Sequence, residues 1–279
     1  MRHQSDAKKR RRATDAKKNL IAQKKLIEAL LCQLQQHGPV RLIETHISWV
    51  LLTADVAYKF KKALQLDFLD YATLDARRFC CNEEIRLNRR LAPHMYLGVS
   101  AIHGPLHSPV IDGPGAALEY AVKMRAFDQQ ALWEYRVSHS LIGAQEVDLL
   151  ADKLARFHCS AALAPSASNW GTPALIAART DADLAAVKAL LKPGNEKTMF
   201  DAIVCWQAAR QVELAPVFAR RKALGWVREC HGDLHCGNIV TAEHGVEVFD
   251  CIEFNPALRW LDVIHDLAFV IMDLLCRAR

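Results

Sequence analysis

The 279-residue sequence has nine cysteines but no Cys-x-x-Cys pair, which removes the zinc ribbons and thioredoxin-type redox sites that depend on that spacing. An odd number of unpaired-looking cysteines suits reduced, small core residues better than a disulfide framework. No GxxxxGK[ST] occurs anywhere, which excludes a P-loop ATPase. No uninterrupted apolar run approaches the roughly 20 residues that a membrane-spanning helix needs. Nor is there a secretory signal, because the apolar residues behind the basic N-terminus are broken by Lys24, Lys25 and Glu28. Internal repeats are absent too. These absences predict a soluble, cytoplasmic globular protein, and 51% apolar residues supply enough material for a real core.

The net charge of +5 is not a property of the whole chain. Residues 1–25 hold ten basic side chains, including the run Lys8–Arg12, against Asp6 and Asp15. The remainder has 26 basic and 29 acidic groups, a balance of −3. The basicity therefore belongs to an N-terminal arm, read as solvated and partly disordered, with nucleic acid or anionic lipid as the partner that such a run would attract.

Along the chain, apolar residues at three- and four-residue steps predict an amphipathic helix from Lys17 to Gln36, stopped by His37-Gly38-Pro39. ETHISWVLLTADVAYKFKK reads as two β-rich runs about the turn Thr53-Ala54-Asp55. A helix follows the N-cap Thr73 through DARRFCCNEEIRLNRRLA and stops before Pro93. Residues 98–115 suit short strands and loops, and LEYAVKMRAF a strand entering a crossover, with a boundary within 116–127. Helical spacing then dominates at 145–162, 181–191 and 196–224.

The richest stretch is CHGDLHCGNIV, Cys230–Val240. Its cysteines and histidines are all zinc-ligand types. Yet structural zinc sites draw pairs two to four residues apart from two segments, and here adjacent Cys-His pairs would compete for one ion with only Cys251 downstream. The other reading uses the aspartate and the asparagine. Phosphoryl transfer from ATP requires a carboxylate for the acceptor hydroxyl, and an amide plus a second carboxylate to hold Mg²⁺. His231, Asp233 and Asn238 stand in the register of the protein-kinase pattern H-R-D-x-x-x-x-N. A hairpin turning at Glu243-His244 sets Asn238 opposite Phe249, with Asp250 next, so the second carboxylate arrives beside the amide.

With HGDLHCGNI followed by VFDCIEF, the chain resembles the aminoglycoside phosphotransferase group of the kinase-like fold. It is most similar to a bacterial branch, alone or fused to a P-loop ATPase domain, that carries segments such as ETHISWV, YKFKK, LDF, EEIRLNRRLAP and LDVIHDLAF. The resemblance covers nearly everything after Val40. It implies an α+β, two-lobed protein-kinase-like fold. A basic arm and amphipathic helix (1–40) would precede a small antiparallel-sheet lobe (41–120) and a mostly helical lobe (121–279). Because the resembled proteins continue through further helices, it also implies a truncated, incomplete helical lobe.

The implied activity is ATP- and Mg²⁺-dependent phosphate transfer to a hydroxyl of a small molecule. In that scheme Asp233 is catalytic, Asn238 and Asp250 hold Mg²⁺, and Lys59 of Val56-Ala57-Tyr58-Lys59 holds phosphates. Lys61 shares its strand face and rivals it. Glu83 is the expected partner of the lysine, four residues from Phe79 and from Leu87 on the face taken as buried, and is preferred to Glu84. Main chain from Leu118 to Met124 is expected to pair with adenine, and no GxGxxG precedes Lys59. His231 and Asp266 are read as structural supports. Beyond Pro256 one helix, ALRWLDVIHDLAFVIMDLL, is expected, with Asp262 and Asp266 one turn apart on it, and His235 is left between a ligand contact and a packed position. The competing readings are a catalytically impaired ATP-binding protein and a nucleic-acid-binding protein using residues 1–25.

Overall fold

A computed structural model describes the backbone of residues 2–192 and 194–277, and the side chains of 18–192, 194 and 196–277. The first helix, α1 (Arg2–Gln35), starts well ahead of the position its apolar periodicity predicts. The basic side chains from Arg2 to Lys17, on which the nucleic-acid reading rests, lie outside the described residues. Leu26, Ile27 and Leu30 of α1 are buried against a six-stranded antiparallel sheet.

That sheet begins with β1 (Arg41–Glu44), β2 (Ser48–Leu52) and β3 (Val56–Lys61), a meander whose turns are set by threonine. Thr45 Oγ1 accepts from the Ser48 amide at 3.0 Å, and Thr53 Oγ1 from the Val56 amide at 3.1 Å. A two-strand ribbon of β4 (Gln65–Leu66) and β5 (Leu69–Asp70) leads into α2 (Leu74–Asn88), capped by the Thr73 hydroxyl on the Ala76 amide. The sheet is completed by β6 (Tyr96–His103), β7 (Val110–Ile111) and β8 (Glu119–Arg125), in the order β1-β2-β3-β8-β6-β7. Alternation along each strand divides its side chains between two cores. Trp49, Leu51, Phe60, Ile102 and Ala121 face α1. Ala57, Val122 and Met124 face α2, where they meet Cys81 and Ile85.

Two expectations change here. β8 runs through the division placed at 120/121, and it is hydrogen-bonded to β3 on one side and β6 on the other. Its main chain therefore has no free edge, and Leu118–Met124 does not offer one to a base. The α2 face is also rotated from the one expected. The inward residues are Arg77, Cys80, Cys81, Glu84, Ile85, Leu87 and Asn88, whereas Phe79 is 64% exposed. Hydrophobicity misplaces the face because α2 buries charges that are paired. Arg77 Nε meets Glu119 at 2.9 Å, and Glu84 meets two lysines of β3.

The second half packs helices around a second core. α3 (Trp133–Ser138) and α4 (Ala144–Ser160) supply Trp133, Leu150, Leu154 and Phe157 to it. α5 (Pro173–Leu190) and α6 (Asn195–Ala223) lie together, and β9 (Val227–Glu229) leads to the motif. The hairpin of β10 (Ile239–Ala242) and β11 (Gly245–Val248) turns where the sequence predicts, with Ala242 opposite Gly245. The run expected to form one helix beyond Pro256 is broken. α7 (Pro256–Arg259) gives way to β12 (Trp260–Asp262), which pairs antiparallel with β9, before α8 (Val263–Arg277) begins. Asp262 and Asp266 are consequently not one helical turn apart, because strand pairing with residues 227–229 overrides local propensity. The architecture is α+β, an antiparallel sheet followed by a mainly helical half. Among the described residues no helix is long and apolar enough to cross a membrane.

The rotated α2 face is directly testable. Ile85→Ala, which empties a buried position on the inward face of α2, is expected to cost about 2–5 kcal/mol in chemical denaturation. Phe79→Ala is expected to stay within about 0.5 kcal/mol of the parent.

Candidate active site

Two carboxylates fix the backbone of the motif. Asp266, on the first turn of α8, accepts the amides of His231 at 2.8 Å and Gly232 at 2.9 Å, and His158 Nε2 of α4 at 3.2 Å. Burial opposes its negative charge, but His158 and those amides hold the carboxyl below the usual aspartate range. Asp273, two turns on, accepts the Cys236 amide at 2.8 Å. Gly232 has φ +87°, and a Cβ there would stand 2.6 Å from the Leu258 carbonyl oxygen, so the turn requires glycine.

His231 locks the loop to the end of β11. Its Nδ1 accepts the Asp233 amide at 3.2 Å, so Nε2 carries the proton and donates to the Phe249 carbonyl at 2.9 Å. The ring is fully buried, and that burial lowers its pKa below the ordinary histidine value. Asp233 is half-buried and faces His235, whose Nε2 lies 3.5 Å from Oδ2. Burial alone would raise the Asp233 carboxyl. The hydrogen bond and charge of His235, with His231 and Asn238, bring it below its ordinary value, while His235 is raised in return. Asn238 Nδ2 donates to the Asp233 carbonyl at 2.9 Å and to Oδ2 at 3.2 Å. Its own carbonyl accepts the Phe249 amide at 2.9 Å, which continues the hairpin pairing and delivers Asp250 beside the motif.

Asp250 sits in left-handed backbone, φ +63°, an uncommon place for a residue with a side chain. Its amide donates to the Tyr96 hydroxyl at 3.1 Å, and the next amide, Cys251, donates to Asn88 Oδ1 at 2.8 Å. The carboxylate is ion-paired with Lys59 Nζ, which also donates to Glu84 Oε1 at 2.9 Å. Burial works against the charge on Lys59, but Asp250 and Glu84 more than offset it and hold the pKa above the ordinary lysine value. Lys61 donates to Glu84 Oε2 at 2.6 Å and is ion-paired with Glu253. Glu253 also receives the Tyr71 hydroxyl.

The two lysines are thereby told apart. The Lys61 side chain is 1% exposed and enclosed by carboxylates, whereas Lys59 and Asp250 open to solvent at 14% and 41%. The acidic partner is Glu84 and not Glu83. Glu83 turns outward to Arg86 at 2.8 Å and lies 3.7 Å from Arg259, within a network that includes Glu229. Asp233, Asn238, Asp250 and Lys59 converge, His231 and Asp266 brace them, and Glu83 stands apart.

Several contributors escaped the sequence reading. Glu253 was visible three residues beyond Asp250 in DCIEF but carried no motif, and Tyr71, Tyr96 and His158 gave no local signal. The zinc reading fails on placement: the described cluster with metal-ligand spacing is His158, Cys230 and Asp266, which takes one residue of the four in the motif. The oxygens of Asp266 there already serve two amides and an imidazole. Burial pushes the Cys236 and Cys251 thiols up to about 12, which suits packing residues.

No family model matches the chain. Two curated relatives are Uncharacterized protein Rv2004c of Mycobacterium tuberculosis (strain ATCC 25618 / H37Rv) and Uncharacterized protein Mb2027c of Mycobacterium bovis. Each is 30% identical over 240 residues, covering 83% of this chain and 45% of the relative. The chain thus spans a little under half the length of the curated relatives it matches.

Glu84→Gln is expected to cost about 3–5 kcal/mol in urea denaturation, because two buried ammoniums lose a shared counter-charge. Glu83→Gln, partly exposed, is expected to cost under about 1 kcal/mol. His231 supplies a pH signature. Its folded pKa lies below the ordinary 6.5, so the unfolded chain takes up a proton that the folded chain refuses. Its contribution is complete above that value and is lost as pH falls below it, by up to about 1.4 kcal/mol per pH unit. Stability of His231→Gln, followed from pH 7 downward, should show a correspondingly shallower decline than the parent.

Proposed function

We propose that the chain is an ATP- and Mg²⁺-dependent phosphotransferase acting on a hydroxyl group of a small molecule, built on a two-lobed protein-kinase-like arrangement. The observation that carries this reading is the convergence of Lys59 with Asp250, 191 residues apart, beside the loop that holds Asp233 and Asn238. Lys59 and Asp250 are 14% and 41% exposed, and Asp233 stands close enough to Asp250 for its charge to act on that carboxyl.

The donor set fits the cofactors. Mg²⁺ takes hard oxygen ligands. Asn238 spends its Nδ2 on Asp233, and its Oδ1 has no partner among the described residues. Asp250 is held ionised, with its carboxyl lowered by Lys59 against the effect of burial. Charge also favours a cation: Asp233, Asp250, Glu84 and Glu253 face two ammoniums, Lys59 and Lys61, and the surplus lies at the open end. Bound MgATP would supply the transferable phosphoryl group. Lys59 would hold its phosphates, and Asn238 and Asp250 its metal. Asp233, ionised and aimed by Asn238 and His235, would orient the acceptor hydroxyl and accept its proton. Because β8 is paired on both edges and the Ala126 amide donates to the Asp55 carbonyl at 2.8 Å, main-chain contact with the base would fall to Phe127 and Asp128. Positioning and charge then carry the reaction, with no covalent intermediate on the chain.

ATP is expected to raise the melting temperature only when Mg²⁺ is present, and Asp250→Asn should remove that dependence. ADP release in a mixture of hydroxyl-rich metabolites should fall by about 10³-fold or more in Asp233→Ala. No Mg²⁺-dependent stabilisation by ATP would rule the reading out.

A further inference from the structure

Behind the motif, on the side of Gly232, lies a cavity of about 310 Å³ between α5 and the segment from Ile252 to His265. Its walls are apolar for most of their extent: Ile176 of α5, Phe218 of α6, and Ile252, Leu258 and Trp260 of the facing segment. Arg179 of α5 joins them, and its Nη2 is buried without a hydrogen-bond partner. Arg179 is partly exposed, and the unmet Nη2 donor alone costs free energy comparable to a lost hydrogen bond.

The nearby carboxylates do not answer it. Asp262 is committed to Arg221, with both oxygens bonded at 2.7 and 2.8 Å, and Oδ1 also accepts the Ile264 amide at 3.0 Å. Asp183 lies one turn along α5 at the exposed rim, and Arg179 forms no ion pair with it or with any other described residue. His265 is exposed at the mouth. The cavity therefore presents an apolar body and one cation, Arg179, without an ion-pair partner among the described residues.

We infer that this cavity binds a small molecule with a flat apolar body and a carboxylate, the carboxylate on Arg179 and the body against Trp260 and Leu258. A planar fork of N–H donors matches a carboxylate, and aromatic and branched side chains match the rest. The assignment does not use the phosphotransfer reading, and nucleotide-free protein tests it.

The probes are 2-naphthoate, the uncharged 2-naphthamide and the cationic 2-naphthylmethylamine, titrated by calorimetry without nucleotide. The expected result is that the carboxylate binds about tenfold tighter than the amide, with the amine weakest. In Arg179→Met the advantage of the carboxylate over the amide should vanish, and Arg179→Lys should keep part of it. Leu258→Trp, which fills the cavity, should abolish binding of all three, and the melting temperature of each variant establishes that it is folded. No saturable binding of 2-naphthoate, equal affinities for carboxylate and amide, or an advantage that survives Arg179→Met would overturn the assignment.

Discussion

Glu84 is one buried carboxylate divided between two ammoniums, and the sheet side of the site depends on that division. One oxygen serves Lys59 and the other serves Lys61, so α2 is tied to β3 at two points one strand repeat apart. Lys61 carries the tie onward to Glu253, and Lys59 to Asp250, both in the segment that follows the β10–β11 hairpin. A sheet in the first half and a loop in the second are thus joined by buried charges, and removing the carboxylate that two of them share is costly. Such a lattice specifies position more than it adds stability.

The second constraint works from the helical half. Asp266 gathers two successive amides of the motif and a histidine from α4, and His231 then bonds the far end of β11. The loop bearing Asp233 and the strand end bearing Asp250 are thus held by separate bonds to separate elements. Pre-organisation of this kind is what a reaction driven by orientation and charge requires, because the groups need not be ordered again at the moment of reaction.

Much of this was legible in the sequence where the physics is local. Thr53 and Thr73 announce a turn and a cap, and the hairpin register from Asn238 to Phe249 follows from counting residues about Glu243-His244. Reading failed where distant partners decide. The spacing of Phe79, Glu83 and Leu87 suggests one buried face of α2; Leu87 is buried, but Phe79 is exposed and Glu84 is drawn in by lysines 23 and 25 residues earlier. Residues 257–275 look like one helix until β9 claims Trp260–Asp262. Leu118–Met124 looks like a linker until both of its neighbours in the sheet are known. In each case a long-range bond, invisible to periodicity, displaced a reasonable local preference.

The arrangement also determines which group can change partners cheaply. If Lys59 turns toward a ligand, Glu84 is not orphaned, since its other oxygen remains with Lys61. Asp250 is not displaced either, because its position rests on the Tyr96 hydroxyl and on Asn88 through main-chain amides, and not on its carboxylate. Lys61 has no such freedom: it is enclosed by Glu84, Glu253 and Tyr71, and moving it would leave the buried Glu253 with no cation and only the Tyr71 hydroxyl. Two lysines on the same strand face therefore have different roles for an electrostatic reason. One is the fixed member that keeps the shared carboxylate in place, and that fixity leaves the other free to exchange its ion pair for a ligand.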